Sequence, residues 1–254
     1  MKLKDRTVWL IGASSGIGEA MVPRLVASGA RLAISSRTVA SLEAAAGKWG
    51  TPDAPVLVKP LDVTRKEDLP RVAAELRAEW GSIDVMVYNA GAWTPTDVAA
   101  FDVDAFERQV RVNYVGLVRA IGAVLPEMLT VNGGEIVGVA SVSGYGGLPR
   151  AEAYGSTKAA VNYLLQSLRI DLRKRSVGVT TVNPGFVKTP LTDKNDFPMP
   201  FMVSAEEAAE RIVKGLLQGK KEIHFPLRLS VPLKLVTALP RPVYEWLVCR
   251  AMKR

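Results

Sequence analysis

The sequence predicts a single α/β domain: a doubly wound sheet of about seven parallel strands with helices on both faces, followed by an apolar, basic C-terminal extension. Three observations lead there. Short β-branched runs alternate with longer helical patterns, the mark of right-handed βαβ units and a sheet covered on both sides. A glycine cluster stands between the first strand and the first helix. The 254 residues are 48% apolar and 23% charged, close to globular averages and long enough for a sizeable core.

The elements follow in order. "RTVWLIG" is a first strand and "IGEAMVPRLVASG" a helix ending at Gly29. "ARLAISS" is a second strand, "VASLEAAAGKW" a helix, and "PVLVKPLDV" a third strand. "KEDLPRVAAELRAEWG" is a helix ending at Gly81, and "IDVMVYNAG" a fourth strand. Two helices are expected over residues 103–130, broken near Asn113. "GEIVGVAS" is a fifth strand, residues 151–175 a long helix, and "GVTTVNPG" a sixth strand. A helix over 204–218 opens with a capping-box pattern, Ser204 to Glu207. "KEIHFP" is a short seventh strand. This divides the chain into one α/β domain, 1–225, and an extension, 226–254.

No run of eighteen apolar residues is present, so no spanning helix is expected. The opening residues run into a glycine motif rather than a cleavage site, so they do not read as a signal peptide. Cys249 is the single cysteine, which precludes an internal disulfide and suits a reducing cytoplasm. The net charge is +8, and residues 223–254 hold six Lys/Arg against one Glu. Neither nucleic acid nor a metal is expected. His224, the single histidine, sits on the last strand and reads as structural.

The first strand ends in "GASSGIG", with Gly12, Gly16 and Gly18. A strand, a glycine turn and a helix N-terminus make an anion site, in which backbone N–H groups and the helix dipole face a phosphate. Gly12 allows the tight turn, Gly16 admits the pyrophosphate, and Gly18 lets helix and sheet approach. This makes the fold Rossmann-like. The second strand ends at Ser35–Ser36 without an acid to bind a ribose 2′-hydroxyl, and Arg37 follows. A guanidinium fork suits a 2′-phosphate, so NADP(H) is expected over NAD(H).

Tyr154 and Lys158 lie four residues apart, on one face of the long helix. An ammonium one turn from a phenol favours phenolate and would bring its pKa down from roughly 10.

With these motifs in place the chain resembles the short-chain dehydrogenase/reductase family over almost all of residues 5–225. "GASSGIG" matches its cofactor loop, which adds Ser14, Ser15 and Ile17 to the glycines as cofactor contacts. Asp62 and Val63 match the pair that holds the adenine, and Asn89, Ala90 and Gly91 the "NAG" at the fourth strand. Asn113 in "RVNYVG" matches the helix-kink asparagine, and Ser141 precedes Tyr154 by thirteen residues. "NPGFVKT" matches the nicotinamide turn, with Pro184, Gly185, Val187 and Thr189. The chain departs from the family at Ile11, where Thr is frequent, and at Tyr88, which replaces the first Asn of "NNAG".

The resemblance implies an NADP(H)-dependent oxidoreductase that interconverts a ketone or aldehyde and an alcohol. Tyr154 would exchange the proton, and Lys158 would assist it and bind the nicotinamide ribose. Ser141, with Ser143 as its rival, would hydrogen-bond the substrate oxygen. Asn113 would hold a water linking Lys158 to solvent. The substrate is expected beneath the loop 191–203, against Trp93, Tyr145, Leu148, Phe186, Phe197 and Phe201, a wall suited to an apolar molecule. Two other functions compete: an acyl-carrier-linked ketoacyl reductase, and a non-catalytic dinucleotide-binding sensor. A homodimer or homotetramer is expected. The extension is expected to pack on its own domain or a neighbouring subunit. The alternative is contact with an anionic membrane through Trp246, Leu247, Arg250, Lys253 and Arg254, leaving the protein cytoplasmic or peripheral to the membrane.

Overall fold

The computed structural model describes residues 1–252. Lys253 and Arg254, two of the cations in the membrane reading of the extension, lie outside the described residues.

The sheet is built from β1 (Thr7–Ile11), β2 (Arg31–Ser35), β3 (Val56–Val58), β4 (Val85–Tyr88), β5 (Gly134–Val139), β6 (Val177–Pro184) and β7 (Glu222–Phe225). All pairings are parallel, in the order β3-β2-β1-β4-β5-β6-β7. The order reverses between β1 and β4, and the crevice above that switch point is where an open α/β sheet binds ligands. The predicted Rossmann-like fold class is the one observed.

Alternation along β1 shows why the sheet is doubly wound. Val8 and Leu10 enter one core with Met21, Val22 and Leu25 of α1 (Gly16–Ala27), Leu42 of α2 (Val39–Trp49) and Ile212 of α7 (Ala205–Leu217). Trp9 and Ile11 enter the other, with Leu69 and Val72 of α3 (Asp68–Trp80), Leu117 and Val124 of α5 (Gly116–Thr130), and Leu165 of α6 (Glu152–Asp171). A strand buried on both faces cannot alternate apolar with polar, which explains the continuous runs in the sequence.

Three local readings change. β3 is shorter than its apolar run because Pro60 lacks an N–H, although Lys59 N and Leu61 N still donate to Ile34 O and Ser36 O at 3.0 and 3.1 Å. The helix over Val103–Thr130 is not broken. It runs from α4 (Val103–Val110) through a π-turn at Arg111–Val115 into α5. That run is apolar and long enough to cross a membrane, but Leu117, Ile121 and Val124 bury themselves in the second core.

The extension changes most. It forms two helices, α8 (Leu227–Thr237) and α9 (Arg241–Met252). Three of its prolines do not prevent this, because Pro226 caps α8 and Pro240 and Pro242 flank the start of α9, positions that tolerate a missing N–H; the fourth, Pro232, lies inside α8. The expected burial of its apolar side chains on the domain is incomplete. Leu229, Leu233, Tyr244 and Leu247 are half-buried, while Leu227, Leu235, Leu239 and Trp246 stay exposed. Two short helices laid on one surface each have only one face to bury.

Candidate active site

The glycine loop leaves β1 as Gly12 N donates to Ser35 O at 2.7 Å, and Asn89 Nδ2 donates to Gly12 O at 2.8 Å. Gly12 has φ +91°, and a Cβ there would lie 2.5 Å from Ala90 N. A Cβ on Gly18 would lie 1.9 Å from Gly12 O. Both positions therefore demand glycine, the first for conformation and the second for approach. Ser15, at the N-cap of α1, makes no side-chain cap, so the first-turn N–H groups face the cleft without an internal acceptor.

All residues read as cofactor contacts line this one cleft except Gly18, which sits beneath it. The lining is a fit for a dinucleotide: a helix N-terminus where the pyrophosphate belongs, Arg37 at one end and Lys158 at the other. Arg37 is exposed and makes no ion pair among the described residues. Asp62 Oδ1 accepts from Thr64 N and Oγ1 at 2.9 and 2.8 Å, which fixes its carboxylate at the rim.

Ser141, Tyr154 and Lys158 converge at the far end of the same cleft. Ser141 follows β5 and caps a short 3₁₀ turn, its Oγ accepting from Ser143 N at 3.1 Å. Ser143 does not line the cleft, and its own Oγ is buried without a partner. α6 presents Tyr154 and Lys158 one turn apart, with Lys158 Nζ 5.5 Å from the phenol ring centroid. Lys158 is 3% exposed and donates to Val139 O at 2.8 Å.

The electrostatics differ from the expected lowering of the phenol. Burial pushes Tyr154 up to about 12, with the Ser141 hydroxyl acting the other way. Burial also brings Lys158 down to about 8. In the chain alone desolvation dominates both shifts, because the charged form of each group loses its hydration.

Asn113 holds this end of the site together. Its Oδ1 accepts from Ala92 N at 2.7 Å, and its Nδ2 donates to Ala92 O and Thr157 Oγ1, each at 3.0 Å. Thr157 Oγ1 in turn donates to Tyr154 O at 2.7 Å. Both amide hydrogens of Asn113 are thereby used. A Cβ built on Gly91 would stand 3.7 Å from Asn113 Oδ1 and 3.9 Å from Lys158 Nζ, so the bare glycine leaves a gap that both groups face.

Two supporting residues escaped the sequence reading. Thr157 carries the link just described. Tyr88, noted only as a departure, is fully buried and donates to Val112 O at 2.6 Å, inside the π-turn that carries Asn113. A π-turn leaves carbonyls without their usual partners, and a phenol one element away supplies one. Gly116 makes room, since its Cβ would lie 2.1 Å from the Tyr88 hydroxyl. The signal available in the sequence was the pairing of a large residue at 88 with a glycine at 116.

The residues read as a substrate wall do not line the dinucleotide cleft, and they divide into two groups. Trp93 packs edge-on against the Tyr154 ring at 5.1 Å and donates from Nε1 to Asn195 Oδ1 at 2.7 Å. Phe186 and Phe197 meet edge to face at 6.2 Å. Arg150 pairs with Asp196 at 2.5 Å, so the loop after β6 is clipped from two sides. Leu148 is half-buried in the loop that precedes Arg150. Tyr145 and Phe201 lie elsewhere. Tyr145 donates to Glu222 Oε1 at 3.2 Å under the ammonium of Lys234, and Phe201 is exposed at a left-handed turn, φ +58°. Glu222 draws Tyr145 away because it also anchors α8 through Lys234 Nζ at 2.6 Å. His224 makes a 2.8 Å bond to Ser230 beside that anchor.

The chain is matched by the short chain dehydrogenase family model over residues 6–198. It is similar to an uncharacterized oxidoreductase of Myxococcus xanthus, 37% identical over 245 residues and 96% of each chain. A second such oxidoreductase, of Staphylococcus saprophyticus, is 32% identical and spans 86% of this chain and 94% of its own. Among solved structures, a short-chain dehydrogenase of Sphingobium yanoikuyae in complex with NADPH superposes with a TM-score of 0.81 at 27% identity, covering 91% of this chain and 92% of that one. A short-chain dehydrogenase/reductase of Burkholderia phymatum in complex with NAD has a TM-score of 0.85 at 20% identity, covering 92% and 94%, and supports the fold alone.

Proposed function

The chain belongs to the short-chain dehydrogenase/reductase family of oxidoreductases, and on that premise we propose that it interconverts an apolar ketone or aldehyde and its alcohol with NADP(H). The observation that carries this reading is the convergence of Ser141, Tyr154 and Lys158 at one end of a cleft whose other end holds Arg37. A bound nicotinamide supplies or accepts the hydride. The chain's part is to hold the carbonyl and manage its proton. Ser141 Oγ–H hydrogen-bonds the substrate oxygen and stabilises charge that develops on it. Tyr154 gives that oxygen its proton, and a phenol held near 12 is fully protonated and ready to do so at neutral pH.

Lys158, ionised below about 8, places its charge beside the phenolate left behind. Water in the gap over Gly91 would connect Lys158 with Asn113 and return a proton to the pair. A dinucleotide sensor needs the glycine loop but has no use for this buried set, which favours an enzyme. Trp93, packed against Tyr154, and the Phe186–Phe197 pair support an apolar substrate, since they offer rings rather than charged or hydroxyl groups.

The preference for NADP(H) rests on Arg37. The test is cofactor consumption over a panel of apolar ketones, aldehydes and alcohols with both cofactors, repeated with Arg37→Asp. The substitution sets a carboxylate against a 2′-phosphate, and we expect the NADPH-to-NADH preference to fall by about a hundredfold, roughly 3 kcal/mol. Unchanged discrimination would remove Arg37 from the cofactor site.

A further inference from the structure

The exposed faces of α8 and α9 carry apolar side chains that nothing in the fold covers. Leu227, Val231 and Leu235 recur every fourth residue on α8 and are 57%, 41% and 67% exposed. Such a spacing forms one stripe. Val243 and Trp246 are exposed one turn apart on α9, and Leu239 is exposed in the turn between the helices. The opposite faces are the ones that hold the domain. Leu229 lies against Gly185, and the Tyr244 hydroxyl donates to Gly147 O at 2.7 Å. The two helices are thus fixed in place with their apolar stripes turned outward.

The charges around the stripes narrow the choice of occupant. Arg228, Arg241 and Arg250 are exposed and make no ion pair among the described residues. Lys234 is already held by Glu222. The one acid within the two helices is Glu245. A two-fold contact between copies would set this patch against itself, three free guanidinium groups facing three, with a single carboxylate on each side. An anionic lipid surface has the opposite sign and accepts both the stripes and the cations. Trp246, with the Arg250 guanidinium 5.5 Å from its ring centroid, has the amphipathic character that suits the headgroup boundary.

We propose that α8 and α9 seat this protein on an anionic membrane surface, burying Leu227, Val231, Leu235, Leu239, Val243 and Trp246 among the headgroups. The contacts at Gly185 and Gly147 place that surface beside the loops that edge the candidate active site. An apolar substrate dissolved in the bilayer would then arrive at the lipid side of the site. That corollary rests on the function proposed above, and vesicle binding measured without substrate tests the docking independently of it.

The experiment is cosedimentation of the full-length protein with phosphatidylcholine vesicles and with vesicles in which a third of the lipid is phosphatidylglycerol. We expect about tenfold or greater preference for the anionic vesicles, weakened by high salt. The triple variant Arg228→Glu, Arg241→Glu, Arg250→Glu should lose that preference. The double variant Leu235→Ser, Trp246→Ser should bind anionic vesicles about tenfold more weakly while its dinucleotide affinity and thermal midpoint stay at the wild-type values. Absence of vesicle binding by the wild-type protein, or equal binding to neutral and anionic vesicles, would overturn the proposal. So would a double variant that still binds vesicles but sediments as a smaller species, which would make the face a contact between copies.

Discussion

Asn113 and Asn195 each use a side-chain amide to hold part of the same site, under opposite conditions. Asn113 is buried in a π-turn and makes three bonds of 3.0 Å or less, two to the half-buried backbone of Ala92 and one to the buried Thr157. Asn195 sits half-exposed in a loop, accepts one bond from Trp93 and reaches Met199 Sδ at 3.1 Å. The first belongs to a closed network in which removing one partner leaves others unpaired in low dielectric. The second belongs to a clip that water can replace. Under the proposed function, the chemistry belongs to the rigid part of the site and the admission of substrate to the adaptable part.

The sharpest way to break this contrast lies in the rigid half. Gly18→Ala forces a Cβ to within 1.9 Å of Gly12 O, a backbone atom that cannot swing aside. We expect a loss of about 3 kcal/mol or more, which is severe against a net stability of about 5–15 kcal/mol. Urea unfolding of the purified variant checks it, and an unchanged midpoint would show that the loop is more pliant than its packing suggests.

Lys158 offers an effect of similar size with a pH signature. Its folded value of about 8 is below the ordinary 10.5, so the native chain releases this proton first and the unfolded chain binds more protons between those pH values. Stability from this group therefore rises with pH through that window. The burial cost is fully present below pH 8 and amounts to about 3 kcal/mol. Lys158→Met should stabilise the cofactor-free protein most at pH 7 and much less at pH 10. A gain independent of pH would mean that the ammonium is not desolvated as the geometry indicates.

The smallest effect belongs to the clip. Asn195→Ala removes the acceptor for Trp93 Nε1 but leaves the Arg150–Asp196 pair and the Val187–Val203 bridge at the base of the loop. We expect KM for an apolar substrate to rise about fivefold, roughly 1 kcal/mol, with kcat nearly unchanged. A fall in kcat with constant KM would move Asn195 from the clip to the chemistry.

Most of the fold was legible because a sheet covered on both faces writes itself as apolar runs separated by helical patterns, and the last domain helix carries its cap in the sequence. Ser204 accepts from Glu207 N at 3.1 Å, as the capping pattern requires. The glycine loop was legible because backbone approach leaves no residue but glycine at positions 12 and 18. The two helices of the extension were not read from the sequence, which holds four prolines there; three of them lie at helix starts and Pro232 lies inside α8. Tyr145 and Phe201 were grouped with the wall on aromatic character alone, and only the fold reveals that Glu222 claims the Tyr145 hydroxyl. Tyr88 stood outside the pattern because its partner, the carbonyl of Val112, is a backbone group that the sequence does not display.

The central claim is that the rigid half of the site ends in a proton donor, Tyr154. The measurement that addresses it most directly is steady-state carbonyl reduction by Tyr154→Phe at saturating cofactor, alongside fluorescence titration of cofactor binding. Phenylalanine keeps the ring that packs against Trp93 and removes only the hydroxyl. The account predicts a kcat at least about a thousandfold lower, roughly 4 kcal/mol in the barrier, with cofactor affinity within about threefold of wild type. Turnover retained to within about tenfold would contradict it and leave the proton to another group.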